Sequence, residues 1–282
     1  MKKVLKSSIF LVLLFFFSCQ DVVDVNLKTN QERLVIEALI KWQENTSGNE
    51  QIIKLSKTSP YYDNNVIAAT NASVKVKNLS DLSEFIFVET ENGIYKTTNF
   101  VPVLNDSYEL TVVYNNETYK ATETFLPAPE ILSIYQSTEE GFSIDAPEVN
   151  VIFQDFEDQS DYYRVSFNYL KPTDATLSNY ESQDKYQFVF NDQFQENNPI
   201  SIFYENEELQ TNDVVKIKIN SVSKRFYNFL VKLEEQVDGG FGPFSLPPAN
   251  VKGNVVNTTN SSNYPYGYFS LNKVKTEEYI YQ

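Results

Sequence analysis

The chain has 282 residues, with 38 Asp and Glu against 23 Lys and Arg, no histidine and a single cysteine, for a net charge of −15. So acidic a balance argues against nucleic acid, whose phosphates need a basic surface, and no nucleic-acid partner is expected. Without imidazole there is no Ser-His-Asp or Cys-His relay and no histidine-ligated metal, which leaves carboxylate pairs, hard-cation sites and Lys or Tyr bases as the available chemistry.

Residues 1–19, MKKVLKSSIFLVLLFFFSC, open with Lys2, Lys3 and Lys6, continue as an apolar run from Ile9 to Phe17 and end at Cys19, the one cysteine. The run falls short of the about 20 apolar residues that span a bilayer, so residues 1–18 read as a lipoprotein signal peptide. Small Ser18 precedes Cys19, and cleavage between them would leave the cysteine as a diacylated, palmitate-carrying N-terminus. Ordinary secretion with cleavage near Ser18 is the rival reading. Loss of the leader removes three lysines and no acid, taking the charge to −18. Such a body has no affinity for anionic headgroups, so the membrane lipid would be held through Cys19 alone.

Residues 19–30 form the lipidated N-terminus and a polar spacer, after which strand signals begin. Leu34 to Ile40 is a compact apolar run and Gln51 to Leu55 follows a turn-forming ENTSGNE loop. Ser73 to Lys77 alternates with Val74 and Val76 inward, and Glu84 to Val88, Gly93 to Thr97 and Tyr108 to Tyr114 continue the series. Asn115-Asn116 is a two-residue hairpin signal before Thr118 to Thr122. These strands predict a β-sandwich over residues 31–126, and Pro127-Ala128-Pro129 reads as a linker.

A second strand series follows at Ile131 to Ser137, Glu148 to Phe153, Tyr162 to Tyr169, Tyr186 to Asn191 and Asp213 to Ser221. One helix is expected at residues 224–237, where Phe226, Phe229, Leu230, Leu233 and Val237 recur at helical spacing between the N-cap Ser223 and Gly239-Gly240. Its apolar stripe predicts packing over the sandwich rather than a partner-binding face. Beyond it lies a proline- and asparagine-rich stretch with β-like pieces at Lys252 to Val256 and Tyr266 to Leu271, ordered by its aromatics. The expected fold is mainly β: two tandem immunoglobulin-like or fibronectin-III-like sandwiches, 31–126 and 130–282, with one short helix in the second.

Asp155, Glu157, Asp158 and Asp161 make QDFEDQSD the densest acid cluster and are the metal-ligand candidates, since hard cations want several oxygens from a short loop. The spacing is not that of an EF-hand, and a solvated turn whose first Asp caps its own backbone explains it more simply. No cofactor is expected. Tyr61-Tyr62, Tyr162-Tyr163, Tyr264, Tyr266, Tyr268 and Phe269 would suit stacking on sugars or a protein interface, with packing between strands as the plainer account.

The ordered pieces LVIEALI, KLSKTSPYYD, ATNASVKVKN, GIYKTTNF and SYELTVVYNNETYKATETFLPAP, then IFQDFEDQSDYYRV, INSVSKRFYNFLVKLEEQ, FSLPPANVKGNV and GYFSL, resemble Bacteroidota outer-membrane lipoproteins of the domain-of-unknown-function family 4249. None of them is a catalytic motif. The resemblance implies an outer-membrane lipoprotein frequently encoded beside TonB-dependent receptors, and hence a non-enzymatic accessory or binding subunit of such a β-barrel transporter. A surface glycan-binding module and a carboxylate-dependent hydrolase are the competing expectations.

Overall fold

Alternation of apolar and polar residues builds many of the strands of this molecule. The computed structural model describes residues 31–60, 65–139, 141, 143, 145–156, 161–171, 186–192, 198–238 and 250–282. Cys19, Tyr61, Tyr62, Glu157 and Asp158 lie outside them.

Eight strands come first: β1 (Leu34–Gln43), β2 (Gln51–Lys57), β3 (Ile67–Ala68), β4 (Ser73–Asn78), β5 (Glu84–Glu91), β6 (Ile94–Thr97), β7 (Ser107–Tyr114) and β8 (Glu117–Leu126). Inward residues repeat with period two, Ile36, Ala38 and Ile40 on β1, Val74 and Val76 on β4, Tyr108, Leu110 and Val112 on β7. Together with Phe85, Phe87, Phe100, Phe125, Phe269 and Leu271 they form the first core. The β7–β8 hairpin turns at Asn115 and Asn116, both at positive φ (49° and 62°), as the sequence predicts.

After β8 come β9 (Ile131–Ser137), β10 (Glu148–Phe153), β11 (Tyr162–Leu170), β12 (Tyr186–Asn191), β13 (Ile200–Glu205), β14 (Val214–Ser221), the helix α1 (Lys224–Asp238), β15 (Val256–Asn257) and β16 (Tyr266–Ile280). The protein is mainly β with one described helix, as expected. Two tandem sandwiches are not what the strands form. The first series is an eight-stranded barrel-like sheet, in the order β16-β1-β2-β6-β5-β4-β7-β8 and back to β16. Residues 31–126 supply seven of those strands, and the chain's C-terminal strand supplies the eighth.

β16 runs parallel to β1 from Val35↔Tyr266 to Gln43↔Val274, and touches β8 through Leu271↔Phe125 and Asn272↔Leu126. Its remaining residues then pair antiparallel with β14, from Ile219↔Lys275 to Val214↔Ile280. β14 carries β11 and β12 beyond it, and a separate three-stranded sheet, β13-β10-β9, shares the second core. Val149, Val151 and Phe153 from that sheet meet Tyr163, Val165, Phe167, Val215, Ile217 and Ile219 from the other, so the second core has a sheet on each side.

α1 packs through the first part of its stripe: Phe226 is buried with Phe229 and Leu230 against it, while Leu233 is 41% exposed and the Val237 side chain lies outside the described residues. Ser223 Oγ accepts the Phe226 backbone N–H at 3.2 Å, the expected N-cap. Phe226 stacks on Tyr268 of β16 at 4.5 Å between ring centroids, with Phe229 against the same ring at 5.0 Å. Gly239-Gly240, assigned as the stop signal, lies outside the described residues.

Gly267 sets how closely β16 approaches β1. Its φ is +91°, and a methyl group there would stand 2.1 Å from the Ile36 carbonyl oxygen. Gly267→Ala is expected to cost about 3 kcal/mol of unfolding free energy, because strain and clash add. Urea denaturation of the two proteins measures it, and the loss should appear in the barrel-like sheet first by hydrogen exchange at β1.

Candidate functional site

The acidic run after β10 is brought together in part. Asp155 and Asp161 meet Asp192, the residue after β12, with one carboxylate oxygen of each within 4.8 Å of the others. Asp155 is 1% exposed and Asp192 2%, so the turn is not solvated at its first aspartate. Asp155 Oδ1 instead accepts the Tyr163 hydroxyl at 2.6 Å, and Tyr163 in turn accepts the Phe156 N–H at 3.3 Å. Asp192 Oδ2 accepts the Asp161 N–H at 2.8 Å, while the Asp192 N–H donates to the Asp161 carbonyl. Burial, with Asp155 beside it, holds the Tyr163 hydroxyl far above the ordinary phenol range.

Three carboxylates are about half of the six to eight oxygens a calcium ion takes. Asp192 escapes any reading of the local motif because it reaches the loop from a strand 31 residues on.

The aromatic candidates divide the same way. Tyr163, Tyr268 and Phe269 are core residues, and Tyr162 packs on Tyr227 of α1 at 5.0 Å. Tyr264 has the Arg33 guanidinium and the Lys252 ammonium each 3.7 Å from its ring centroid, in the positions a stacked sugar would need. Tyr266 stands edge-on to it at 5.6 Å.

The asparagine-rich tail makes the most organised polar site. Glu117, at the start of β8, accepts four side-chain donors. Tyr119 Oη (2.7 Å), Asn257 Nδ2 (3.0 Å) and Asn263 Nδ2 (2.6 Å) converge on Oε2, and Asn260 Nδ2 reaches Oε1 at 3.2 Å. Asn257 then accepts the N–H groups of Thr259 and Asn260 through its own side-chain oxygen, closing the loop on itself. Residues 257–263 are thus ordered by a carboxylate, not by the aromatics the sequence suggests. The donors, Tyr119 first, pull the Glu117 carboxyl below its ordinary value of 4.5.

A second polar cluster bridges β8 and β16 where their ladder is shortest. Asn254 donates to Glu123 Oε1 at 3.0 Å and to the Phe269 carbonyl at 2.8 Å, and accepts the Phe269 N–H at 2.9 Å. Tyr268 donates to the same Glu123 oxygen at 3.1 Å, and Arg225 of α1 stands 3.6 Å from it. Asn254 thereby serves as a stand-in for a strand.

The sequence matches the family described as Domain of unknown function (DUF4249) from residue 20 to residue 278. The chain belongs to that family. Curated proteins give no significant sequence match. Among solved structures, a DUF4785 family protein of Legionella pneumophila is 11% identical with a TM-score of 0.24, covering 69% of this chain and 53% of its own. The FN1–FN3 domains of chicken CNTN1 are 13% identical at a TM-score of 0.27, covering 66% of this chain and 57% of theirs. A cytokine receptor complex is 9% identical at 0.26, covering 68% and 86%. In the first two, the match spans little more than half the other chain.

Two substitutions read these sites separately. Because the folded Glu117 carboxyl lies below its unfolded value, its stabilisation is complete above 4.5 and fades as pH falls through the folded value. Glu117→Gln should therefore lower the thermal midpoint at pH 7, and the gap to wild type should narrow as pH drops below 4.5; scanning calorimetry across that range checks it. Tyr163→Phe removes one donor from a buried carboxylate and should cost about 1–3 kcal/mol in urea denaturation, with little change at Glu117.

Proposed function

We propose that this member of the DUF4249 family is a non-enzymatic, lipid-anchored protein of the outer membrane that serves as an accessory or binding subunit of a TonB-dependent β-barrel transporter. The observation that carries the reading is the placement of Cys19. It follows Ile9 to Phe17 directly, behind three lysines, and is the one thiol in the chain. Two acyl chains on it would anchor stably, each buried methylene adding about 0.8 kcal/mol, where one chain binds only reversibly.

The compact unit that begins at Glu32 follows Cys19 by about a dozen residues. At about 3.4 Å per residue, that length of chain can reach at most about 40 Å. The protein's strong negative charge supports tethering over adsorption to anionic lipid. In this reading the body meets its partners through loops and sheet edges, and its function resides in those surfaces and not in the fold. The resemblance to Bacteroidota lipoproteins supplies the transporter as partner.

Cells fed labelled palmitate should incorporate it into the wild-type protein and not into Cys19→Ala, and only the wild type should sediment with outer membranes. An unmodified N-terminus by mass spectrometry, or retention of residues 1–18, would overturn the anchor. Crosslinking in intact cells followed by solubilisation should recover a β-barrel partner; recovery of the lipoprotein alone in several mild detergents would remove the transporter role.

A further inference from the structure

Asn92-Gly93 is the one Asn-Gly step in the chain, and it makes the turn between β5 and β6, closed by the pair Glu91↔Ile94. The fold requires the glycine. Its φ is +73°, and a methyl group there would stand 2.4 Å from the Leu55 carbonyl oxygen. Glycine is also the labile choice after asparagine, because no side chain shields its nitrogen from the asparagine amide carbon. Asn92 is exposed, and among the described residues its side-chain amide has no hydrogen-bond partner.

The nitrogen that would attack this amide is held elsewhere. The Gly93 N–H donates to Glu89 Oε1 at 3.0 Å, while Oε2 of the same carboxylate accepts the Asn71 N–H at 2.8 Å. These two donors, Asn71 first, hold the Glu89 carboxyl below its ordinary value of 4.5, so at neutral pH it is ionised and a poor base. If the Gly93 nitrogen lost its proton, two negative charges would face each other at hydrogen-bond distance.

We propose that Asn92 is a site of spontaneous deamidation to isoaspartate, and that Glu89 is the group that restrains it. The reaction needs only water. The Gly93 nitrogen gives its proton to solvent base and bonds to the Asn92 Cγ, the bond from Cγ to the amide nitrogen breaks, and ammonia leaves with a proton from water. Water then opens the succinimide at either carbonyl, giving aspartate or isoaspartate, and nothing is oxidised or reduced. Isoaspartate lengthens the backbone of the turn where the Gly93 carbonyl accepts the Leu55 N–H at 2.8 Å, so it would disturb the ladder of β6 with β2. Neither the lipid anchor nor the transporter enters this chemistry.

Full-length protein in detergent, aged at neutral pH, is sampled by tryptic mapping with electron-transfer fragmentation, which separates isoaspartate from aspartate. Trypsin releases residues 78–96 as one peptide, so Asn78, whose amide donates to Asp106 at 2.8 Å, is the internal reference. Folded wild type should gain isoaspartate slowly at Asn92 and not at Asn78, and faster at Asn92 when unfolded in urea. Glu89→Gln keeps an acceptor oxygen without the charge, and Glu89→Ala removes both. The rate at Asn92 should rise about tenfold in Glu89→Ala, with Glu89→Gln between it and wild type. Hydrogen exchange at the Leu55 N–H shows whether the turn stays closed. The proposal is overturned if neither variant ages faster than wild type, if Glu89→Gln ages more slowly, or if the rise tracks lost protection at Leu55. It is equally overturned if Asn92 in the urea-unfolded chain is no more labile than Asn78.

Discussion

Everything in this architecture depends on β16 being one continuous strand with two different partners. Its first nine residues make a parallel ladder with β1, and the next six make an antiparallel ladder with β14. No hinge separates the two: the ladder passes from Gln43↔Val274 to Ile219↔Lys275 between adjacent residues. One strand thus contributes Phe269 and Leu271 to the first core and edges the second through β14. Closure also requires residues near the C-terminus to meet residues near the start of the fold, so the contact is as non-local as this chain allows. Loop-closure entropy must be overcome before that contact stabilises anything, which places closure late in folding.

The weak point of the closed sheet follows from the same geometry. β8 and β16 share only two residue pairs, because the first half of β8 pairs with β15 instead. The opening between them is bridged by side chains. Asn254 reproduces both halves of a peptide's hydrogen bonding to Phe269, and Glu123 is retained among Tyr119, Ala121 and Phe125 on the buried face of β8 because Asn254, Tyr268 and Arg225 satisfy it. The segment must come very close to do this: a methyl on Gly253 would stand 1.6 Å from the Gly267 carbonyl oxygen. Two glycines and one asparagine thus substitute for a missing length of ladder.

Where side chains alternate, the sequence announced the strand: Val74 and Val76, Val215, Ile217 and Ile219, and the paired asparagines of the β7–β8 turn all stand where periodicity and turn chemistry put them. The stripe of α1 was equally plain, down to its Ser223 cap. What escaped was everything decided by distant partners. The end of β16 that pairs with β14, KTEEYI, carries few large apolar residues, and its place is set by that ladder. β13, ISIFYE, was missed although Asn197-Asn198-Pro199 stand just before it and Asn206 just after it. Pro127-Ala128-Pro129 does interrupt the strands, but chain breaks and sheet boundaries are different things, and the barrel-like sheet recruits its eighth strand from across that break. Of the acidic candidates, Asp155 and Asp161 share a site with an aspartate no local motif could include.

The strong acidity of the chain also explains how its polar sites are built. With few bases to spend, its inward carboxylates are satisfied chiefly by neutral donors: Tyr163 for Asp155, three asparagines and Tyr119 for Glu117, Asn254 and Tyr268 for Glu123. Neutral donors satisfy a carboxylate without cancelling its charge, so they order loops while leaving the surface field negative.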